Sequence, residues 1–130
     1  MVATCLALPT LEAAAGEAEA APLSDRELAR GRILFLQCRA CHAVPGDEGE
    51  RTGPALHGIF GQEAAAAAGF RGYSEALRTS GIVWDTELMD RWLRDPARLV
   101  PGNTMAYAGI ADDQSRDLLI RYLEVITEAE

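Results

Sequence analysis

Two cysteines three residues apart, with a histidine directly after the second, carry the strongest chemical signal in the chain: Cys38, Cys41 and His42 in "FLQCRACHAVPG". Three chemistries use such a cluster. A dithiol redox motif needs alternating strands and helices around it. A tetrahedral zinc site needs a second ligand pair at metal spacing, and His57 is the sole other histidine, with no cysteine near it. Covalent attachment of a c-type haem needs only C-x-x-C-H. Each thiol adds to a vinyl group, the vinyls sit on neighbouring pyrroles of one ring, and the next residue in the chain falls under the iron as an axial ligand. A sixth ligand must come from elsewhere, and the candidates are His57, Met89 and Met105. His57 lies close to His42 in a tight Gly-Pro loop. Met89 sits among Leu88 and Leu93 at helical spacing and reads as core. Met105 follows the rigid Pro101-Gly102 turn, and its soft thioether favours ferrous iron. Met105 is therefore the expected partner of His42.

The elements that must position this cluster are legible in outline. "SDRELARGRILFLQC" opens with a capping box, Ser24 and Glu27. Leu28, Gly31, Leu34 and Phe35 then recur at helical spacing, which predicts a helix from about Asp25 to about Arg39. Gly31 costs such a helix about 1 kcal/mol relative to alanine, so it predicts the close approach of another helix. Residues 43–72 are punctuated by glycine and proline, with one short helical turn predicted at Ala64–Ala68. So long an irregular stretch in a compact domain fits a loop wrapped around something large that is not protein. "YSEALRTSG" predicts a short helix ended by Gly81. "DTELMDRWLRDP" predicts a helix capped by Asp85, ending before Pro96, with Leu88, Met89, Trp92 and Leu93 on its apolar face. Val100–Gly109 is a second irregular loop. The last helix places Leu118, Leu119, Tyr122, Leu123 and Ile126 on one face, with an Asp117–Arg121 pair opposite. No strand and no repeat is evident. The absence of strands argues against the dithiol redox reading and leaves haem attachment as the favoured one.

Composition sets limits. The chain has 130 residues, room for one domain with a small core. Its formal net charge is −8, and all twelve basic residues are arginine. An acidic chain without a basic run excludes nucleic acid and anionic lipid as charge-steered partners. Three cysteines make a poor disulfide framework. Residues 1–23 differ from the rest: a short apolar start, too short to span a membrane, then alanine-rich sequence with A-x-A arrangements at Ala13–Ala15 and Ala18–Ala20. They are expected to be a signal-peptide remnant or a disordered leader that includes Cys5. The domain proper is residues 24–130.

Beyond the haem motif, "GRILF", "TGPALHGIFG", "GFRGYSEAL", "GIVWD", "LMDRWLRDP", "VPGNTM", "YAGI" and "LLIRYL" follow one another in an order that resembles the class I cytochromes c, especially mitochondrial-type cytochrome c and its bacterial relatives. The resemblance spans about Asp25 to Glu128. It implies an all-α fold in which helices and irregular loops wrap one covalently attached haem c with its iron. It implies that Gly31 and Phe35 pack against Leu119 and Tyr122. It also implies that the Pro54 carbonyl bonds the second ring nitrogen of His42, and that Tyr73 and Trp84 hydrogen-bond a haem propionate. Trp92 takes the place of a tyrosine near the methionine sulfur, Tyr107 that of an aromatic covering the haem edge, and Met105 that of the distal ligand. The chain departs from the family where mitochondrial members carry a lysine ring: Gln37, Ala97 and Thr104 stand near those positions. Gln62 stands where many relatives have arginine, Leu77 replaces a polar residue, and "GFRGYS" carries one extra residue.

The function these features imply is a one-electron carrier with His/Met ligation, not an enzyme, exported to the bacterial periplasm rather than the mitochondrial intermembrane space. Its expected partners are redox proteins (an oxidase, reductase or dehydrogenase) with basic or apolar docking surfaces. The chain is expected to be a monomer with no membrane span. The rival readings are a haem peroxidase or a small-gas sensor with a labile sixth ligand, and a module bound tightly to one dehydrogenase.

Overall fold

A computed structural model describes residues 20–128. Most of the expected leader, Cys5 included, lies outside them. Five helices follow in order: α1 (Asp25–Arg39), α2 (Glu75–Arg78), α3 (Thr86–Arg94), α4 (Pro96–Leu99) and α5 (Asp113–Thr127). Among the described residues there is no strand, only an isolated antiparallel bridge between Glu63 and Val83. The fold is all-α, as expected.

Each long helix begins where its cap dictates. Ser24 and Glu27 close a reciprocal capping box on α1. Asp85 accepts from the Leu88 N–H at the start of α3, and Asp112 from the Ser115 N–H at the start of α5. α3 stops at Arg94 because Pro96 has no N–H to continue it. Pro96 instead starts α4, a single turn capped by Asp95, in a stretch where no helix was expected.

The two long helices cross at a glycine. A Cβ on Gly31 would lie 2.7 Å from the Tyr122 side chain, so only glycine lets the backbones meet there. Phe35, 3% exposed, stacks obliquely on Tyr122 with ring centroids 6.0 Å apart, and Leu119 is 0% exposed behind them. α3 packs on α5 through Met89, Trp92 and Leu93. Ile120 joins the buried set although it falls outside the expected apolar face.

Two local expectations fail, each for a tertiary reason. Ala64–Ala68 forms no helical turn. The chain beside it pairs across to residues 82–84: Ala64 donates to the Ile82 carbonyl, Trp84 to Gln62 and Gly61 to Trp84. Ala65 is left-handed, with φ 64°. Cross-chain hydrogen bonds here override alanine's helical propensity. Arg121 does not pair with Asp117. Its guanidinium reaches across to Glu27 at 3.1 Å and to the Ala21 carbonyl, tying α5 to the start of α1. The Glu27 carboxyl is held down to about 2, against an ordinary 4.5, first by the Ser24 hydroxyl, then by the Ser24 N–H, with Arg121 adding to it.

Two outcomes follow. Gly31→Ala should destabilise the haem-loaded protein by about 1–3 kcal/mol, the usual cost of overpacking, read from guanidinium denaturation. Glu27 releases its proton more readily folded than unfolded. The stability it contributes is therefore full above about pH 4.5 and lost as pH falls towards about 2. Denaturation midpoints across that window should decline less steeply in Glu27→Gln than in the parent.

Candidate cofactor site

The helices and loops enclose a cavity of about 360 Å³, within the range of small-molecule sites. Cys38 reaches it from the last turn of α1 and Cys41 from the turn just after, with His42 directly following. Leu56 and Ile59 come from the first long loop, Trp84 from the segment before α3, Met89, Trp92 and Leu93 from α3, and Met105 and Tyr107 from the second loop. Leu123 of α5 forms part of the wall, so the core helix closes the site as well as the fold.

His42 is buried, and its Nδ1 lies 2.7 Å from the Pro54 carbonyl. That contact makes Nδ1 the protonated nitrogen and leaves the Nε2 lone pair free. Burial pushes the imidazole's affinity for a proton down, and the Pro54 carbonyl partly opposes this. A ring kept neutral is a ring able to ligate a metal. The loop comes this close because residue 53 is glycine: a Cβ there would lie 2.7 Å from His42 Cε1 and 2.9 Å from the Cys41 carbonyl. Gly53 also donates to that carbonyl at 2.7 Å. The T-G-P triplet before Ala55 was the sequence signal for this glycine.

Every other expected site residue is also on the cavity wall. Trp84 and Trp92 meet edge to face, with centroids 5.4 Å apart. Tyr73 stands edge-on to Phe70 at 4.8 Å, and its hydroxyl accepts from the Ala67 N–H. Met105 is half-buried and Met89 fully buried. His57 is exposed and outside the lining, and its hydrogen bond to Gln62 runs through its backbone carbonyl rather than its ring. Sequence reasoning gave no role to Phe70 or Asn103, both on the wall.

The residues fit a haem by their chemistry. Two thiols and a neutral imidazole stand together on a mostly apolar wall, and a thioether lies on the same cavity. Burial raises the Cys38 thiol to about 11, far above the range in which it would ionise. The Tyr107 hydroxyl is buried with no hydrogen-bond partner among the described residues. Such an orphan is uncommon in a closed protein core and fits a site that takes up a further polar group.

This arrangement defines a small all-α protein with one enclosed cofactor cavity, carrying the C-x-x-C-H set on its wall. The chain belongs to the class I cytochrome c family. It is 36% identical over 107 residues to a cytochrome c2 of Blastochloris viridis, covering 82% of this chain and 84% of that protein. It is 37% identical over 98 residues to a cytochrome c2 of Rhodoplanes tepidamans, covering 75% of this chain and 91% of that protein. The solved structure of cytochrome cH from Methylobacterium extorquens superposes with a TM-score of 0.68 at 38% identity, over 75% of this chain and 97% of that one. No protein-family model matches the chain. The cofactor of this family is covalently attached c-type haem, and its members are electron carriers.

A cavity this large in so small a domain leaves its wall little to pack on when empty. The haem-free chain should therefore be largely unfolded by circular dichroism at 25 °C. A compact haem-free protein with a cooperative thermal transition would contradict this.

Proposed function

We propose that this protein is an exported electron carrier whose single haem c is held by Cys38 and Cys41 and ligated by His42 and Met105. The observation that carries the reading is the convergence of both thiols, the neutral imidazole and the Met105 thioether on one enclosed wall. The haem iron, when bound, supplies a one-electron change between ferric and ferrous states. The protein's part is to hold both ligands, keep water out and move little. Pro54 fixes the His42 tautomer and raises its basicity. Trp84, Trp92, Met89 and Leu93 keep the interior dry, and Tyr73 and Trp84 are the proposed donors to the propionates. A His/Met pair in such an interior raises the potential relative to two histidines.

Electrons pass at the edge where Cys41 is exposed. Among the described residues lining the cavity, Glu63 is the one acidic side chain and no arginine occurs. Ile33 and Leu36, 68% and 60% exposed, lie on α1 within a turn of Gln37, which lines the mouth. This favours redox partners with an apolar docking surface over partners steered by charge. The relatives named cytochrome c2 come from bacteria. Together with the expected leader over residues 1–23, they support a bacterial periplasmic location for a domain spanning residues 24–130. No helix among the described residues is long and apolar enough to cross a membrane.

The test is optical. The haem-loaded ferric protein should be low-spin, with a methionine–ferric charge-transfer band, and should not bind carbon monoxide when reduced. Met105→Ala should abolish the band and open the iron to carbon monoxide. A parent protein that is high-spin, or that binds carbon monoxide readily, would instead favour a peroxidase or gas sensor with a vacant sixth site.

A further inference from the structure

The loop that carries Met105 has almost no regular structure of its own, yet side chains grip it at both ends. At its start stands Asn103. Its Nδ2 donates to the Pro96 carbonyl at 2.9 Å and to the Val100 carbonyl at 2.9 Å, joining the loop to α4. Its Oδ1 accepts from the Met105 N–H at 3.0 Å. Only this orientation of the amide can make all three bonds, because the flipped group would set oxygen against two carbonyls and N–H against N–H. The side chain thus ties the ligand residue's own backbone to the last helical turn before it.

At the far end stands Arg116, 1% exposed on α5. Its Nη1 donates to the Ile110 carbonyl at 2.8 Å and the Ala111 carbonyl at 2.9 Å. Its Nε donates to Asp90 on α3 at 2.8 Å, and its Nη2 to Asp113. Ile110 in turn donates to the Leu93 carbonyl at 2.8 Å. A buried guanidinium with both charge partners and two carbonyls engaged is held rigidly. Between the grips, the loop has one internal backbone bond, from the Tyr107 N–H to the Met105 carbonyl at 2.9 Å.

We propose that Asn103 and Arg116 are positioning residues for Met105, clamping its loop from both ends so that the thioether stays presented to the cavity. The inference rests on the reading of Met105 as the sixth ligand. Neither side chain is asked to touch the iron. Their effect is on how often the loop opens, and an external ligand reads that directly. When only the open form binds it, the apparent affinity equals the intrinsic affinity multiplied by the open fraction. Hydrogen bonds at the usual net worth change that fraction by roughly fivefold each.

Imidazole binding to the haem-loaded ferric protein is the probe, followed by loss of the methionine–ferric band. Asn103→Ala should tighten imidazole binding by roughly tenfold or more. Asn103→Asp, which keeps the acceptor for Met105 but sets a carboxylate against two carbonyls, should do likewise. Arg116→Lys, which keeps the charge but not the fork, should act in the same direction. The denaturant dependence of imidazole binding should be shallow in these variants, as for a local opening. Arg121→Ala is the control: it removes the tie from α5 to Glu27 and the Ala21 carbonyl, away from the loop and the cavity, and should leave imidazole affinity unchanged. An affinity indifferent to Asn103→Ala, with the parent's methionine band intact, would overturn the clamp alone. So would equal tightening in Arg121→Ala with a steep denaturant dependence, because the effect would then be global stability. A parent protein without the band would overturn the clamp and the Met105 ligation together.

Discussion

The close crossing of α1 and α5 at Gly31 is the constraint on which the rest depends. α1 carries Cys38 in its last turn and leads into Cys41, and α5 supplies Leu123 to the cavity wall. These elements lie at opposite ends of the chain, and a cavity between them exists only if the helices meet at a fixed depth. Glycine sets that depth by letting the Tyr122 ring occupy the space a Cβ would need. Phe35 and Leu119 then fill the contact, and the Arg121–Glu27 pair ties the middle of α5 to the start of α1. The contact costs helix propensity in α1, and tertiary packing offsets it.

What hangs from this crossing is mostly irregular chain. Loops of this length fold against a cofactor better than against one another, because backbone polar groups need partners that a short loop cannot find internally. The structure supplies those partners through side chains and cross-chain bonds: Asn103 and Arg116 around the Met105 loop, and the Gly61, Ala64 and Trp84 N–H groups between the first loop and residues 82–84. The remaining wall is aromatic and aliphatic. Two covalent bonds to a cofactor would act on such a chain as a disulfide acts on a small secreted domain, restricting the unfolded state where the core is too small to suffice.

Electrostatics divides the molecule into two regions. Net charge is −8, yet the cavity lining is almost free of charge apart from Glu63. The arginines that do pair among the described residues serve the architecture: Arg39 and Arg51 with Asp47, Arg94 and Arg116 with Asp90 and Asp113, Arg121 with Glu27. Long-range repulsion between exposed charges at physiological salt fades over about 8 Å. A chain without lysine lacks the lysine ring that the resemblance ascribes to mitochondrial members, and Ile33 and Leu36 on α1 are exposed.

Several features were readable from sequence because they depend on neighbours in the chain. The capping box of Ser24 and Glu27, the Asp85 cap, the stop at Pro96 and the apolar faces of α1, α3 and α5 follow from local geometry and a 3.6-residue period. The C-x-x-C-H spacing likewise fixes its chemistry, since both vinyls and the iron belong to one rigid ring. The features that sequence did not disclose depend on distant residues. Ala64–Ala68 has the composition of a helix but takes its hydrogen bonds from residues 82–84. Arg121 has Asp117 at helical spacing but finds Glu27 from the far end of the chain. Asn103 reads as an ordinary turn residue until the carbonyls of Pro96 and Val100 are seen converging on its amide. Local preference is worth a few tenths of a kcal/mol per residue, whereas an intramolecular hydrogen bond is worth about 1 kcal/mol. The sequence therefore determined the three long helices and the cofactor chemistry, and the tertiary structure decided how the loops close around them, because those loops are held by partners that only folding brings within reach.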